Sequence, residues 1–224
     1  MNKPKLYALR ISPFCKRVFA TLEHKKVPHD LVEIDITKKE RPAEFNRVSP
    51  YGKVPCLEHE GRVLFESTVI NEYLEEIAPE PRLMPADPGE RAYARCWIKY
   101  SDSQVADLEG HMVHGVRDLD SKRTVCRQIF TNLAMLDKEL SSKERFFLGP
   151  ELSLVDISLA PQLWLAPIWA RLINEKSWDS YAAIHAYAER LAAHPTIARA
   201  VHDTPIQVYE GFFSAVLTEG LTVP

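Results

Sequence analysis

An α/β unit joined to an all-helical unit is the fold class that this 224-residue chain predicts, and three observations carry it. Up to Ala78, short strand-like runs alternate with helical ones in the order β, α, β, short α, β, β, α. Between Ala78 and Pro88 stand Pro79, Pro81, Pro85 and Pro88, a density that neither a helix nor a central strand accommodates. Beyond it the strand pattern ceases and long segments of 3.6-residue period take over. The predicted units are therefore residues 1–78 and 89–224, with a proline linker between them.

The first strand is Lys5 to Arg10, and the apolar spacing of Val18, Phe19 and Leu22 suits the buried face of a helix after it. Alternation from Asp30 to Ile36 predicts a second strand, completing a βαβ unit whose strands pair in parallel. A short helix or turn follows over Arg41 to Arg47, closed by the Ser49-Pro50-Tyr51-Gly52 loop. Val54 to His59 and Arg62 to Phe65 read as a hairpin turning at Glu60-Gly61, and a helix runs from about Ser67 to Ala78. In the second unit the helical segments are Gly89 to Val105, Leu119 to Leu140, Ser153 to Asn174, Ser180 to Ala193 and Thr196 to Val201. Ser153-Leu154-Val155-Asp156 is a capping-box sequence, with Leu152 and Ile157 placed as a hydrophobic staple. The apolar helix behind it should form the core of the unit, with a kink or break expected at Pro161 and Pro167.

Composition narrows the function classes. A chain with 46% hydrophobic and 26% charged residues is soluble and long enough for one large or two modest domains. Its net charge of −3 offers no excess of cations for a phosphate backbone, which disfavours nucleic acid as a partner. No charged leader precedes an apolar core, and no apolar run approaches the ~18 residues a membrane span needs, so a cytoplasmic location is expected. Cys15, Cys56, Cys96 and Cys126 lie far apart and form neither C-x-x-C nor a metal-ligand cluster, which predicts free thiols in a reduced compartment and no metal. His111 and His114, three apart, lack the surrounding pattern of a zinc site and are expected to border the substrate cleft. Trp164 and Trp169 read as core residues, and Asp102 is unassigned.

The stretch Ile11-Ser12-Pro13-Phe14-Cys15 is a strand-to-helix turn in which Pro13 suits the first helical position and Ser12 the cap. A hydroxyl is thereby held where backbone N–H groups converge and the helix dipole favours negative charge. Simple helix capping explains the same residues. Glu66-Ser67 stands at a second strand-to-helix junction and admits the same two readings, an anion site or a plain cap. For Val54-Pro55, statistics favour the trans form, since only about 5–6% of X-Pro bonds in folded proteins are cis.

Taken in order, Ser12-Pro13-Phe14, Gly52-Lys53-Val54-Pro55, Glu66-Ser67, the proline linker, and Phe147-Leu148-Gly149 leading into the capping box resemble the cytosolic glutathione transferases, most of all their omega and tau branches. The resemblance implies a thioredoxin-like domain followed by an all-helical domain that lines the acceptor-substrate site, a symmetric homodimer, and glutathione as co-substrate. It implies a cis Val54-Pro55 bond that turns the Val54 backbone toward the cysteinyl backbone of glutathione, and glutathione contacts from Phe14, Arg41, Lys53, Val54, Glu66 and Ser67. Lys53 and Arg41 would reach the glycyl carboxylate, Ser67 and Glu66 the γ-glutamyl end.

In this resemblance Ser12 is the catalytic residue. A free thiol ionises near ~8.5, and lowering that by two units takes roughly 2.7 kcal/mol of preferential thiolate stabilisation. A hydrogen bond to a charged acceptor supplies about 1.5–3 kcal/mol and a helix N-terminus about 0.3–1 kcal/mol, so hydroxyl and helix together suffice. The glutathione sulfur, not the serine, then attacks a small hydrophobic electrophile, as in detoxification. The chain departs from the omega pattern, which has cysteine at position 12, and carries an extra thiol, Cys15, three residues on. Three readings stay open: conjugation through Ser12; a glutathione-dependent thiol transferase or dehydroascorbate reductase in which Cys15 is a redox residue; and a non-catalytic binding protein on the same fold. A glutathione-assisted isomerase is lowered by the absence of a Ser-Ser-Cys turn.

Overall fold

The structure, a computed structural model, describes residues 2–35 and 40–221. β1 (Lys5–Ala8) passes through the Ser12 turn into α1 (Pro13–Lys25) and returns as β2 (Asp30–Glu33). β1 and β2 pair in parallel, as the βαβ reading requires. β2 ends at Glu33, three residues before the predicted Ile36, which lies outside the described residues. α2 (Ala43–Val48), β3 (Cys56–His59), β4 (Arg62–Phe65) and α3 (Ser67–Ile77) complete the unit. The sheet order is β2-β1-β3-β4, with β3 antiparallel to both neighbours. This is the predicted thioredoxin-like arrangement. β3 begins at Cys56, two residues later than the alternation predicts, because Pro55 has no N–H to give a ladder and its bond to Val54 is cis.

Leu6, Val18, Leu22, Phe45, Leu57, Ile70 and Leu74 close the core of this unit, and α1 packs along α3. The proline linker is fixed to it. The Glu75 carboxylate accepts the Leu83 and Met84 amides at 3.1 Å, and the Lys25 ammonium donates to the Ala78 and Pro81 carbonyls at 2.6 and 3.0 Å while pairing with Glu75 at 2.6 Å. Leu83 and Met84 are thereby buried in the core of the second unit.

That second unit is all-helical. α4 (Pro88–Ser101), a π-helical stretch (Asp102–Ala106), α5 (Asp107–Gly110) and a second π-helical stretch (His111–Gly115) form one unbroken run, longer than the predicted segment ending at Val105. α6 (Leu119–Leu140) matches its predicted bounds, and α7 (Leu154–Ile173) opens on the capping box, with the Ser153 hydroxyl and the Asp156 carboxylate satisfying each other's backbone amides. Sixteen of the twenty residues of α7 are buried, so it is the central helix of the unit. Of the kink or break expected at Pro161 and Pro167, the break does not occur: α7 is one helix through both prolines. With most of its side chains buried, α7 is held by its neighbours, which offsets the roughly 3 kcal/mol each interior proline costs.

α8 (Ala182–Ala193) and α9 (Pro195–Ala200) follow, and then α10 (Ile206–Thr218), which the sequence pattern does not reveal. Gly211 and the β-branched and aromatic residues around it are weak helix formers. α10 is stabilised instead by burying Tyr209, Phe213, Val216 and Leu217 against α7 and α6. The two units share a tight interface: α1 packs on α7 and α9 as well as on α3, and its Ala20 belongs to the helical core. Among the described residues no helix is long and apolar enough to cross a membrane, and no group of three or more His, Cys, Asp or Glu side chains could hold a metal ion.

Candidate active site

The sheet register brings three loops to one end of the sheet. Cys56, the first residue of β3, is paired with Tyr7 near the end of β1 and with Phe65, the last residue of β4. The Ser12 turn leaves β1, Val54-Pro55 enters β3, and Glu66-Ser67 leaves β4, so all three emerge on the same edge. With neighbouring strands ~4.8 Å apart, the three β-strands that feed them span only about 10 Å.

Ser12 is the N-cap of α1, with an extended backbone (φ −72°, ψ 123°) and Pro13 at the first helical position. Its Oγ accepts the Cys15 amide at 3.5 Å and also lies within hydrogen-bonding reach of the Cys15 thiol. Ser12 and Phe14 are half-buried. Cys15 is fully buried, and burial pushes its thiol up to about 12 in spite of the Leu9 backbone amide and the Ser12 hydroxyl, which favour the thiolate. At neutral pH that sulfur is a protonated, apolar filler.

Val54 is buried and, among the described residues, no hydrogen bond engages its backbone amide or carbonyl at the cis Val54–Pro55 unit. The loop that carries Lys53 is braced from three sides. Its carbonyl accepts the Ser49 hydroxyl at 2.8 Å and the Cys56 thiol at 3.4 Å, while Arg41 donates to the Gly52 carbonyl at 2.6 Å. Gly52 has φ +63°, a conformation that favours glycine, and a Cβ there would lie 2.6 Å from the Arg41 guanidinium and push that flexible side chain aside. Lys53 is exposed, whereas Arg41 is half-buried and committed to its loop.

Glu66 stands at φ +69°, ψ 114°, a backbone conformation that costs a non-glycine residue on the order of 1–3 kcal/mol. It turns the chain so that α3 begins immediately with Ser67, which is buried, while the Glu66 side chain is exposed. The open amides of this second helix start face the same edge as those of α1.

Charged residues that the apolar pattern of α1 conceals join this edge to the helical unit. Arg17 is fully buried; its guanidinium pairs with Asp102, donates to the Ser101 hydroxyl at 3.1 Å, and lies 5.4 Å from the Phe14 ring centroid. Lys16, also buried, pairs with Asp203 and donates to Thr204 ahead of α10. Asp102, which the sequence leaves unassigned, is thus a partner of α1 across the interface between the two units. Trp169 is buried as predicted, while Trp164 is partly exposed, stacked on His202 at 4.6 Å and edge-on to Tyr209 at 5.1 Å. His111 and His114 are exposed on the second π-helical stretch.

Residues 6–82 match the family model described as the glutathione S-transferase N-terminal domain, and residues 92–190 match that of the C-terminal domain. The chain is 36% identical to glutathione S-transferase U8 of Arabidopsis thaliana over 155 residues, 69% of this chain and 68% of the relative. It is 30% identical to glutathione S-transferase omega-1 of Rattus norvegicus over 173 residues, 76% of this chain and 69% of the relative. Among solved structures, the fold superposes on a rice glutathione transferase in complex with glutathione, with a TM-score of 0.81, 25% identity and 98% of each chain covered. It also superposes on the Omega 3C transferase of Trametes versicolor, with a TM-score of 0.76, 28% identity and 89% of each chain covered.

Proposed function

The chain belongs to the glutathione S-transferase family, and from that premise we propose that it conjugates glutathione to a small hydrophobic electrophile, with Ser12 stabilising the glutathione thiolate. One observation carries this reading above its alternative: the Ser12 hydroxyl is half-exposed at the open start of α1, while Cys15 is fully buried and held protonated. A thiol that ionises only near pH 12 is neither the nucleophile nor the leaving group that thiol exchange requires.

In this reading the glutathione sulfur accepts the Ser12 hydroxyl and the α1 N-terminus adds its dipole. The cysteinyl backbone pairs with the unengaged amide and carbonyl of Val54. Ser67 and the first amides of α3 take the γ-glutamyl carboxylate, Glu66 the adjoining ammonium, and Lys53 the glycyl carboxylate. Arg41 braces this loop through Nη1 on Gly52, and the glycyl carboxylate is the group its guanidinium would share with Lys53. Phe14 bounds the acceptor side. We take residues 1–78 as the glutathione-binding domain and 89–224 as the acceptor domain of a cytoplasmic homodimer serving detoxification. The exposed Tyr51, Phe65 and Val69, with the two rings edge-on at 5.6 Å, form an apolar patch suited to the second subunit.

The test is calorimetric titration with glutathione together with conjugation rates for wild type and Ser12→Ala. Binding at millimolar glutathione with a rate that depends on Ser12 supports the reading. No heat and no melting shift would move the protein to the non-catalytic class, and a reductase activity that survives Ser12→Ala but is lost in Cys15→Ala would favour thiol exchange.

A further inference from the structure

Asp203 lies on the segment between α9 and α10, and both oxygens of its carboxylate reach back to the first unit. Oδ1 takes the Lys16 ammonium, and Oδ2 lies 3.7 Å from Nη1 of Arg10. These two cations bracket the Ser12 turn. Arg10 follows Leu9, whose carbonyl accepts the Ser12 amide at 3.0 Å, and Lys16 gives its own amide to the Ser12 carbonyl at 2.9 Å. One carboxylate of the helical unit therefore grips the turn on either side of the serine.

The grip is itself held. The Thr204 hydroxyl donates to Asp203 Oδ1 at 3.0 Å while accepting Lys16 Nζ at 3.0 Å, so carboxylate, hydroxyl and ammonium close a hydrogen-bonded ring. His202, the residue before, is stacked on Trp164 of α7 at 4.6 Å, and its amide donates to the Ile197 carbonyl at 3.3 Å. Arg10 is steadied from the other side by Glu33 of β2 at 2.9 Å. Lys16 is 1% exposed, which sets its pair with Asp203 apart from the exposed ion pairs that contribute little.

We propose that Asp203 is a positioning residue of the active site, holding the Ser12 turn from the helical unit and so acting on the glutathione thiolate through Ser12. The proposal rests on the conjugation reading above and adds to it a residue from the other unit. Charge and position pull in opposite directions here. As an anion beside α1, Asp203 disfavours a thiolate at the start of that helix, so by charge alone its removal would lower the pKa of the bound thiol; loss of the Ser12 geometry raises it. A hydrogen bond to an ionised acceptor outweighs a screened charge, so the rise is expected to win.

The experiment titrates bound glutathione by its ultraviolet thiolate absorbance and measures kcat on chlorodinitrobenzene across pH, in wild type, Asp203→Ala, Ser12→Ala and the variant carrying both changes. Asp203→Ala should raise the thiol pKa by about one unit, a loss of about tenfold in kcat below the rise that disappears on the plateau. KM for glutathione should change less than about twofold, because the Val54 and Ser67 loops are untouched. In the Ser12→Ala background the same change should add no further shift. Since Asp203→Ala leaves the buried Lys16 unpaired, Lys16→Met with Asp203→Ala is measured beside it, should show the same rise, and is the variant read if the single one does not fold. A loss equal at every pH, an unchanged or lowered pKa, or a full further shift in the Ser12→Ala background overturns the proposal while leaving the conjugation reading standing. A wild type that binds no glutathione, or a thiol pKa that Ser12→Ala leaves unchanged, overturns both.

Discussion

The guanidinium of Arg17, buried on the helix that starts at Ser12, forms an ion pair with Asp102 on the first π-helical stretch of the other unit. Removing one partner of such a pair leaves an uncompensated buried charge, which costs about 3–5 kcal/mol. Asp102→Ala should therefore lower the denaturant midpoint strongly, and the double variant with Arg17→Met should recover part of the loss. A double variant less stable than D102A alone would show that Arg17 contributes through packing and not through its pairing.

The serine argument gives a pH prediction. If the Ser12 hydroxyl and the α1 dipole hold the bound thiol between ~6 and ~7, conjugation at saturating glutathione rises through that window and then plateaus. Ser12→Ala leaves the dipole alone and shifts the rise upward by about one to two units, at about 1.36 kcal/mol per unit. Ser12→Cys should give glutathionylated enzyme and disulfide exchange at the expense of conjugation. The pH–rate profiles of the three proteins, with intact mass after treatment with oxidised glutathione, check this. An unchanged profile in S12A assigns the thiolate to another group.

The cysteines differ sharply in access. Cys96 is exposed, whereas Cys15, Cys56 and Cys126 are buried, and burial raises the pKa of each buried thiol. Native protein treated with iodoacetamide should gain one adduct, at Cys96, and unfolded protein four, as peptide mass spectrometry would show. Rapid native labelling of Cys15 would reverse the assignment of that residue as filler.

The fold was legible where local pattern and tertiary packing agree. Leu119 to Leu140 carries an apolar stripe of helical period, and its bounds were predicted to the residue. Ser153 and Asp156 announced α7 by capping chemistry alone. What escaped were features set by neighbours far along the chain. α10 is helical because α7 covers it, Pro161 and Pro167 are tolerated for the same reason, and Lys16 and Arg17 look like solvated charges until Asp203 and Asp102 are folded against them. The Ser12, Val54 and Ser67 loops were visible as motifs, but only the pairing of Cys56 with Tyr7 and Phe65 brings them to one edge. Glu109 gave no sequence signal, since a carboxylate on a helix is ordinarily solvated.

The exposed pair Tyr51 and Phe65 tests the proposed dimer. Tyr51 is 67% exposed in the single chain, a large aromatic surface that a partner subunit would cover. An aromatic anchor at the centre of an interface is worth about 2 kcal/mol or more, so Tyr51→Ala should weaken association at least ~30-fold in sedimentation equilibrium. A wild type that is monomeric at micromolar concentration would remove the dimer from the reading.

Glu109 makes stability depend on pH in a definite direction. In the folded protein burial raises the group to about 8 from an ordinary carboxylate value near 4.5 in the unfolded chain. Across that window the native state holds a proton that the unfolded state has released, so the contribution of Glu109 to stability is fully present below about pH 4.5 and is lost as pH rises through about 8. Glu109→Gln keeps the shape of the protonated acid and cannot ionise, so it removes this term. The difference in melting temperature, variant minus wild type, should therefore grow more positive from pH 5 to pH 9, levelling off once the wild-type carboxyl has ionised. Salt should alter it little, because the group is buried. Melting curves for the two proteins at matched ionic strength measure it directly. A difference that stays constant across the range would mean that Glu109 already ionises normally in the fold.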